Sequence, residues 1–184
     1  MIFKESKLKG AFTIELQNVE DHRGFFARMW CRNELKAHGL NANFVQINLS
    51  FNKCKGTIRG LHYQSPPNEE AKLFRCTSGA IYNVIIDLRP ESTTYMQWAG
   101  FKLSAENHKM LYVPENFANG YQALSDNTEV FYLVSQFYSP NSEKGIRYND
   151  PAFNIAWPEK DDLVISEKDS SWPDYSPLAD ACDG

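Results

Sequence analysis

Gly56-Thr57-Ile58-Arg59-Gly60-Leu61-His62-Tyr63-Gln64 places a guanidinium three positions before an imidazole, with a glycine between them. An always-charged donor beside a titratable base suits removal of a proton next to a carbonyl. In that reading His62 would take the proton and Arg59 would hold an anion. On an extended backbone side chains alternate faces, so residues three apart share a face only where the strand bends or bulges. Gly60 is the residue that permits such a bend. The alternative is a buried structural histidine beside a surface arginine. Four further polar elements sit in or beside apolar runs. Lys72 precedes Leu73-Phe74, and Tyr132 lies in Phe131-Tyr132-Leu133-Val134, with Tyr138 at the same parity and so expected on the same face. Asn119 follows Val113-Pro114-Glu115-Asn116-Phe117-Ala118, and Asp169 closes Ile165-Ser166-Glu167-Lys168-Asp169. Taken singly, a lone lysine is usually solvated and a lone tyrosine is usually amphipathic packing.

Strands must position these groups. Residues 11–17 and 24–30 flank the turn-prone Asp21-His22-Arg23-Gly24, and residues 31–39 form the best helix candidate, stopped by Gly39. From Val45 the chain alternates strictly: Val45, Ile47, Leu49 and Phe51 on one face, Gln46, Asn48 and Ser50 on the other. Further strand-like runs cover 71–77, 80–88, 95–103, 109–113, 120–124 and 129–138, separated by turn signals. Many short strands with regular turns predict an all-β sandwich or barrel. Barrels of this size hold one small ligand, which would give Gln46 and Asn48 an inward role; the alternative is that their face meets water. The last 35 residues are rich in Pro and Asp and read as a surface wrap with a weak helix or two, the tail proper being 167–184.

At 184 residues, with 42% hydrophobic and 14% aromatic residues, the chain reads as one domain spanning 1–184 with a sizeable core. A net charge of -4 without a Lys/Arg block argues against nucleic acid as a partner. No apolar run approaches the roughly 18 residues of a membrane span, and the first residues lack a signal peptide's apolar core. Cys31, Cys54, Cys76 and Cys182 form no close pair and read as free thiols in a reducing cytoplasm.

Gly56-x5-His62 and Pro114-x4-Asn119 resemble the two halves of the cupin signature. Metal-binding cupins supply about three histidines and a carboxylate there, whereas this chain has His62, with Gln64 and Asn119 at other ligand positions. One imidazole and two amides make a poor metal site, so the expectation is a cupin with no metal and no cofactor. More narrowly, the chain resembles the dTDP-4-dehydrorhamnose 3,5-epimerase family. The matching stretches are Asp21-x-Arg23-Gly24-Phe25-Phe26, Gln46-x-Asn48-x-Ser50, Ile58 to Gln64, Lys72-Leu73, Val84-x-x-Asp87-Leu88-Arg89-x-x-Ser92 and Pro114-x-x-Phe117-Ala118. They continue with Glu143-x-Gly145-Ile146-x-Tyr148-Asn149-Asp150-Pro151, Trp157-Pro158 and Ser166-x-Lys168-Asp169, in family order over nearly the whole chain.

The resemblance implies a cupin-type jelly-roll barrel with a few short peripheral helices, and an epimerase acting on a nucleotide-linked 4-keto-6-deoxy sugar. His62 would be the base and Asp169 its hydrogen-bond partner. Lys72, helped by Arg59, would stabilise the enolate, and Tyr132 would be the acid on the opposite face. Arg23, Gln46, Asn48, Glu143 and Lys168 fall where members of the family hold substrate, nucleotide and diphosphate, and Tyr138 joins them as a binding candidate. Two substrate-contact positions depart from the pattern: Arg28 stands where Glu is usual, and Asn119 where His is usual. The family implies a homodimer in which N-terminal strands complete the partner's sheet. Inversion at C3, C5 or both stays open, as do a CDP- or GDP-linked substrate and a non-catalytic sugar-nucleotide-binding cupin.

Overall fold

Alternating segments pair into two facing sheets in the computed structural model, which describes residues 1–177. Cys182 and the end of the expected 167–184 tail lie outside the described residues. In chain order the strands are β1 (Ile2–Glu5), β2 (Phe12–Glu15), β3 (Val19–Asp21), β4 (Gly24–Phe26), β5 (Gln46–Asn52), β6 (Thr57–Gln64) and β7 (Lys72–Ser78). They continue as β8 (Ala80–Asp87), β9 (Trp98–Ser104), β10 (Met110–Val113), β11 (Phe117–Ala123), β12 (Thr128–Val134), β13 (Glu143–Gly145) and β14 (Val164–Ile165). Among the described residues, two short helices, α1 (Arg32–Ala37) and α2 (Glu167–Ser170), lie outside the sheets. The first sheet runs β1-β2-β10-β7-β12-β5 and the second β13-β6-β11-β8-β9, with β14 added in parallel to β6; β3 and β4 form a separate hairpin. The result is an all-β cupin jelly roll.

Inner faces of the two sheets meet through Phe74, Ile81, Ile85, Phe117, Tyr121 and Val130. The outer face of the second sheet is covered by Ile146, Phe153 and Trp157, which pack on Ile58, Leu61, Val84 and Ile86. Part of the outer face of the first sheet is covered by α1, whose Leu35 is fully buried in the cluster containing Leu73 and Met110. Gly39, at φ +72°, turns the chain out of that helix in the left-handed region that glycine adopts without strain.

Several expected elements are shorter than the sequence pattern. The run 24–30 is strand only to Phe26, because its partner β3 has three residues. The run 129–138 stops at Val134, where the partners β5 and β7 both begin, at Gln46 and Lys72. Tyr138 therefore lies beyond the strand, and its parity with Tyr132 does not place it on that face. The run 95–103 becomes a strand only at Trp98, because the chain before it is tied to Asp87. This buried carboxylate accepts from Arg89 Nε at 2.8 Å and from the Ser92 and Thr94 hydroxyls at 2.6 Å each. Burial raises the Asp87 carboxyl, but those hydrogen bonds outweigh it and hold the group below its usual range. Asp87-Leu88-Arg89-x-x-Ser92 is thus a structural knot that fixes the β8–β9 connection.

In β5 the structure decides which face points in. Gln46, Asn48, Ser50 and Asn52 face the barrel interior, whereas Ile47 and Leu49 are 61% and 64% exposed on the outside. That inversion of the usual apolar-in pattern is what a barrel with a polar cavity requires.

Candidate active site

Gly60 supplies the bend that the spacing of Arg59 and His62 requires. Its φ is +107°, and a Cβ there would stand 2.7 Å from Asn119 O and from Gly120 Cα. Opposite it the register slips: Asn119 pairs His62 but Tyr121 pairs Arg59, so β6 advances three residues while β11 advances two. This bulge keeps Ile58 and Leu61 in the outer cluster while Arg59 and His62 both line the inner cavity.

The cavity has a volume of about 480 Å³ and is walled by His62, Arg59, Lys72, Tyr132, Asn119 and Asp169, with Ser50, Phe74 and Tyr121. A second chamber of about 220 Å³ shares His62, Lys72 and Tyr132 and adds Gln46, Asn48, Tyr138 and Glu143. Together they are of the size that small-molecule sites take.

Asp169 arrives from α2, more than a hundred positions after His62. Ser166 caps that helix by accepting from Asp169 N at 3.1 Å, which sets the side chain inward. Asp169 Oδ1 lies 2.7 Å from His62 Nε2, and its Oδ2 accepts from Gly60 N at 3.0 Å. The bend at Gly60 therefore serves both His62 and the carboxylate that holds it. Burial raises the Asp169 carboxyl, but the His62 and Gly60 hydrogen bonds prevail and hold it below its usual value. An ionised carboxylate only accepts, so Nε2 carries the imidazole proton and Nδ1 keeps a lone pair.

Lys72 and Tyr132 face this pair from the first sheet. Lys72 is 7% exposed, and its Nζ reaches the His62 carbonyl oxygen at 3.3 Å and Glu70 Oε1 at 3.0 Å. Tyr132 stacks on Phe74 with ring centroids 5.0 Å apart, and burial raises its phenol. Arg59 donates Nε to Asn52 Oδ1 at 2.8 Å and Nη2 to Phe51 O at 3.2 Å. In the second chamber Glu143 accepts from Tyr138 at 2.7 Å and from Lys168 at 2.6 Å, and Gln46 donates to Asn48. Burial raises the Glu143 carboxyl, but Lys168 and Tyr138 outweigh that and lower it. Tyr138 thus reaches the site from the loop after β12, tethered by Glu143.

Two candidates lie elsewhere. Arg23 is exposed at the β3–β4 turn and pairs with Asp21 at 2.6 Å. Arg28 pairs with Glu34 at 2.9 Å, beside the N-terminal amine. Neither lines the cavity of its own chain. Sequence reasoning missed Tyr121, Phe74, Asn52 and Glu70. Strict alternation from Gln46 could have carried the polar ladder on to Asn52; Tyr121 and Phe74 looked like ordinary strand core. Among the described residues, no group of three or more His, Cys, Asp or Glu could hold a metal ion, and no helix is long and apolar enough to cross a membrane.

Known proteins share this architecture. The sequence model of the dTDP-4-dehydrorhamnose 3,5-epimerase family matches residues 5–176. A Methanothermobacter thermautotrophicus protein named dTDP-4-dehydrorhamnose 3,5-epimerase is 41% identical over 172 residues, 92% of each chain. The crystal structure of the Elizabethkingia anophelis dTDP-4-dehydrorhamnose 3,5-epimerase superposes with a TM-score of 0.92 at 36% identity, covering 95% of this chain and 96% of that one. A Bacillus anthracis enzyme of the same name, solved with TDP and PPi bound, gives 0.88 at 40% identity over 94% and 99%. With family pattern, relatives and fold in agreement over nearly its whole length, the chain belongs to the dTDP-4-dehydrorhamnose 3,5-epimerase family.

Proposed function

We propose that this chain, acting as a single catalytic domain, inverts C3 and C5 of a nucleotide-linked 4-keto-6-deoxy sugar of the dTDP-4-dehydro-6-deoxyglucose type. The carrying observation is that His62 and Tyr132 come from opposing sheets and wall one cavity. Inversion needs a base and an acid on opposite faces of one ring. His62 Nδ1 takes the proton from a carbon next to the C4 ketone, and the C–H electrons move onto the carbonyl oxygen as an enolate. Lys72, with Arg59, stabilises that oxygen. A cation in a water-poor pocket supplies several kcal/mol to such a charge. The Tyr132 hydroxyl then protonates the same carbon from the other side. Solvent reprotonates the phenolate and takes the proton from the imidazolium. The ketone itself makes both flanking carbons acidic, so these steps draw on no cofactor. Gln46, Asn48, Tyr138, Glu143 and Lys168 line or border the second chamber, and they are the groups assigned to the nucleotide and diphosphate.

The test is incubation with dTDP-4-keto-6-deoxyglucose in deuterated water. Deuterium at both C3 and C5, with inverted product, is the expected result. Label and inversion at one carbon would restrict the enzyme to that centre, and no label at either carbon would overturn the reading.

The same reading places the enzyme in the cytoplasm as a homodimer. Phe26 is 74% exposed on the β3–β4 hairpin, and Ile47, Leu49 and Phe51 line an uncovered outer face. A second copy would cover that face and bring Arg23 and Arg28 to its partner's nucleotide chamber. Sedimentation at twice the 21.1 kDa chain mass is expected, with Ile47→Asp/Leu49→Asp shifting it to monomer. A wild-type protein that sediments as a monomer at micromolar concentration refutes the dimer.

A further inference from the structure

Asn119 has its amide orientation dictated by the protein alone. Its Nδ2 donates to the Val84 carbonyl oxygen at 3.1 Å and to Asn83 Oδ1 at 2.5 Å. A backbone carbonyl only accepts, so the NH2 group has to face Val84; the flipped amide would set oxygen against oxygen. Both N–H groups are thereby occupied. Asn119 Oδ1 has no partner among the described residues, and it is not among the sealed polar atoms that lack one. Its residue walls the main cavity, directly across the β6–β11 ladder from His62. Position 119 therefore shows the cavity lone pairs and no donor.

Asn83 explains how this state is held. It is fully buried on β8, and it must turn Oδ1 toward Asn119 to receive the hydrogen bond. Its own Nδ2 is consequently a buried donor that has no partner among the described residues. An orphaned donor destabilises a fold, and it persists where something else depends on the arrangement.

We propose that Asn119 is a specificity-determining residue for the sugar ring: Oδ1 accepts a hydrogen bond from a ring hydroxyl at C2 or C3, beside the reacting carbons. Asn83 is the positioning residue that keeps the amide in this acceptor-only state. The inference rests on the epimerase reading above. A 4-keto-6-deoxyhexose joined to its nucleotide through C1 has free hydroxyls only at C2 and C3, and each can donate. A site that offers only lone pairs there accepts a hydroxyl and rejects a keto, methoxy or deoxy group at the contacted carbon, because the acceptor is then left desolvated and unpaired.

The experiment measures kcat/KM for deuterium incorporation at C5 with the dTDP-linked 4-keto-6-deoxy sugar and with its 2-deoxy and 3-deoxy analogues. Wild-type enzyme is expected to prefer the parent sugar over one analogue by roughly tenfold or more. Asn119→Leu brings that ratio close to one. Asn83→Leu, which does not touch the sugar, lowers it as well, whereas Asn83→Asp keeps an oxygen facing Asn119 Nδ2 and preserves it. A ratio of two substrates on one preparation is independent of the folded fraction, so partial misfolding of a variant does not obscure the result. Equal treatment of parent and both analogues by wild type, or a preference that survives in Asn119→Leu, overturns the role of Asn119 and leaves the epimerase reading standing. Absence of label from the parent sugar in wild type removes both.

Discussion

His62→Ala lowers deuterium incorporation at C3 and C5 together, by roughly 10²–10⁴-fold in kcat, which is the range a positioned general base contributes. At about 10³ the loss corresponds to about 4 kcal/mol of barrier. KM moves far less, because the imidazole meets the substrate only at the proton in transit, while Lys72, Arg59 and the second chamber hold the rest. Asp169→Asn is the companion variant. Its amide can turn an N–H toward Nε2, which moves the imidazole proton to Nδ1 and blocks the lone pair that serves as base. A loss of similar size is expected without change of fold. The carboxylate also carries a pH signature. Its folded pKa lies below the ordinary 3.8 of an aspartate, so its stabilising contribution is full above that unfolded value and fades only as pH falls through the folded one. Exchange measured above about pH 5 is thus free of Asp169 titration. If His62→Ala left C3 and C5 exchange at the wild-type rate, the imidazole would not be the base.

Tyr132→Phe separates exchange from inversion. The variant keeps the stack on Phe74 and the half-buried ring, and it loses only the hydroxyl. His62 can still remove a proton and return deuterium to the same face, so label continues to enter the recovered substrate. Inverted product falls by roughly 10²–10⁴-fold, because the other acid on the first sheet, Lys72, is committed to the enolate oxygen. Burial suits the phenol to proton donation. By raising the pKa it keeps the hydroxyl protonated at neutral pH and ready to donate to a strongly basic enolate carbon. NMR of the variant's products in deuterated water, with label and configuration read from one sample, checks the prediction. Inversion at the wild-type rate would transfer the acid role elsewhere, with the Lys72 ammonium, which also faces His62 from the first sheet, as the next group to test. Equal loss of label and inversion would make Tyr132 a binding group instead.

Local rules made much of this protein legible in its sequence. Alternation and turn residues announce an all-β barrel because backbone sterics impose a period of two on every strand. The Arg59-Gly60-x-His62 spacing announces a bulge, because only a residue without Cβ fits against Asn119 and Gly120 there. The motifs of Lys72, Tyr132 and Asp169, in order along the chain, announce the family.

Tertiary structure decided what depends on partners distant in sequence. Which face of β5 points inward follows from the second sheet packed opposite it, since alternation alone is symmetric between the two faces. Where β12 ends, and so where Tyr138 sits, follows from the starts of β5 and β7. Arg23 and Arg28 have suitable chemistry, but the β3–β4 turn that carries Arg23 and the segment before α1 that carries Arg28 lie away from the cavity of their own chain. Asn83 gave no sign at all, because its role exists only through the β8–β11 register that sets it beside Asn119. A residue's type and local period are written where it stands. Which groups share a cavity is settled by strand pairing and sheet packing, whose contacts join residues as far apart as His62 and Asp169.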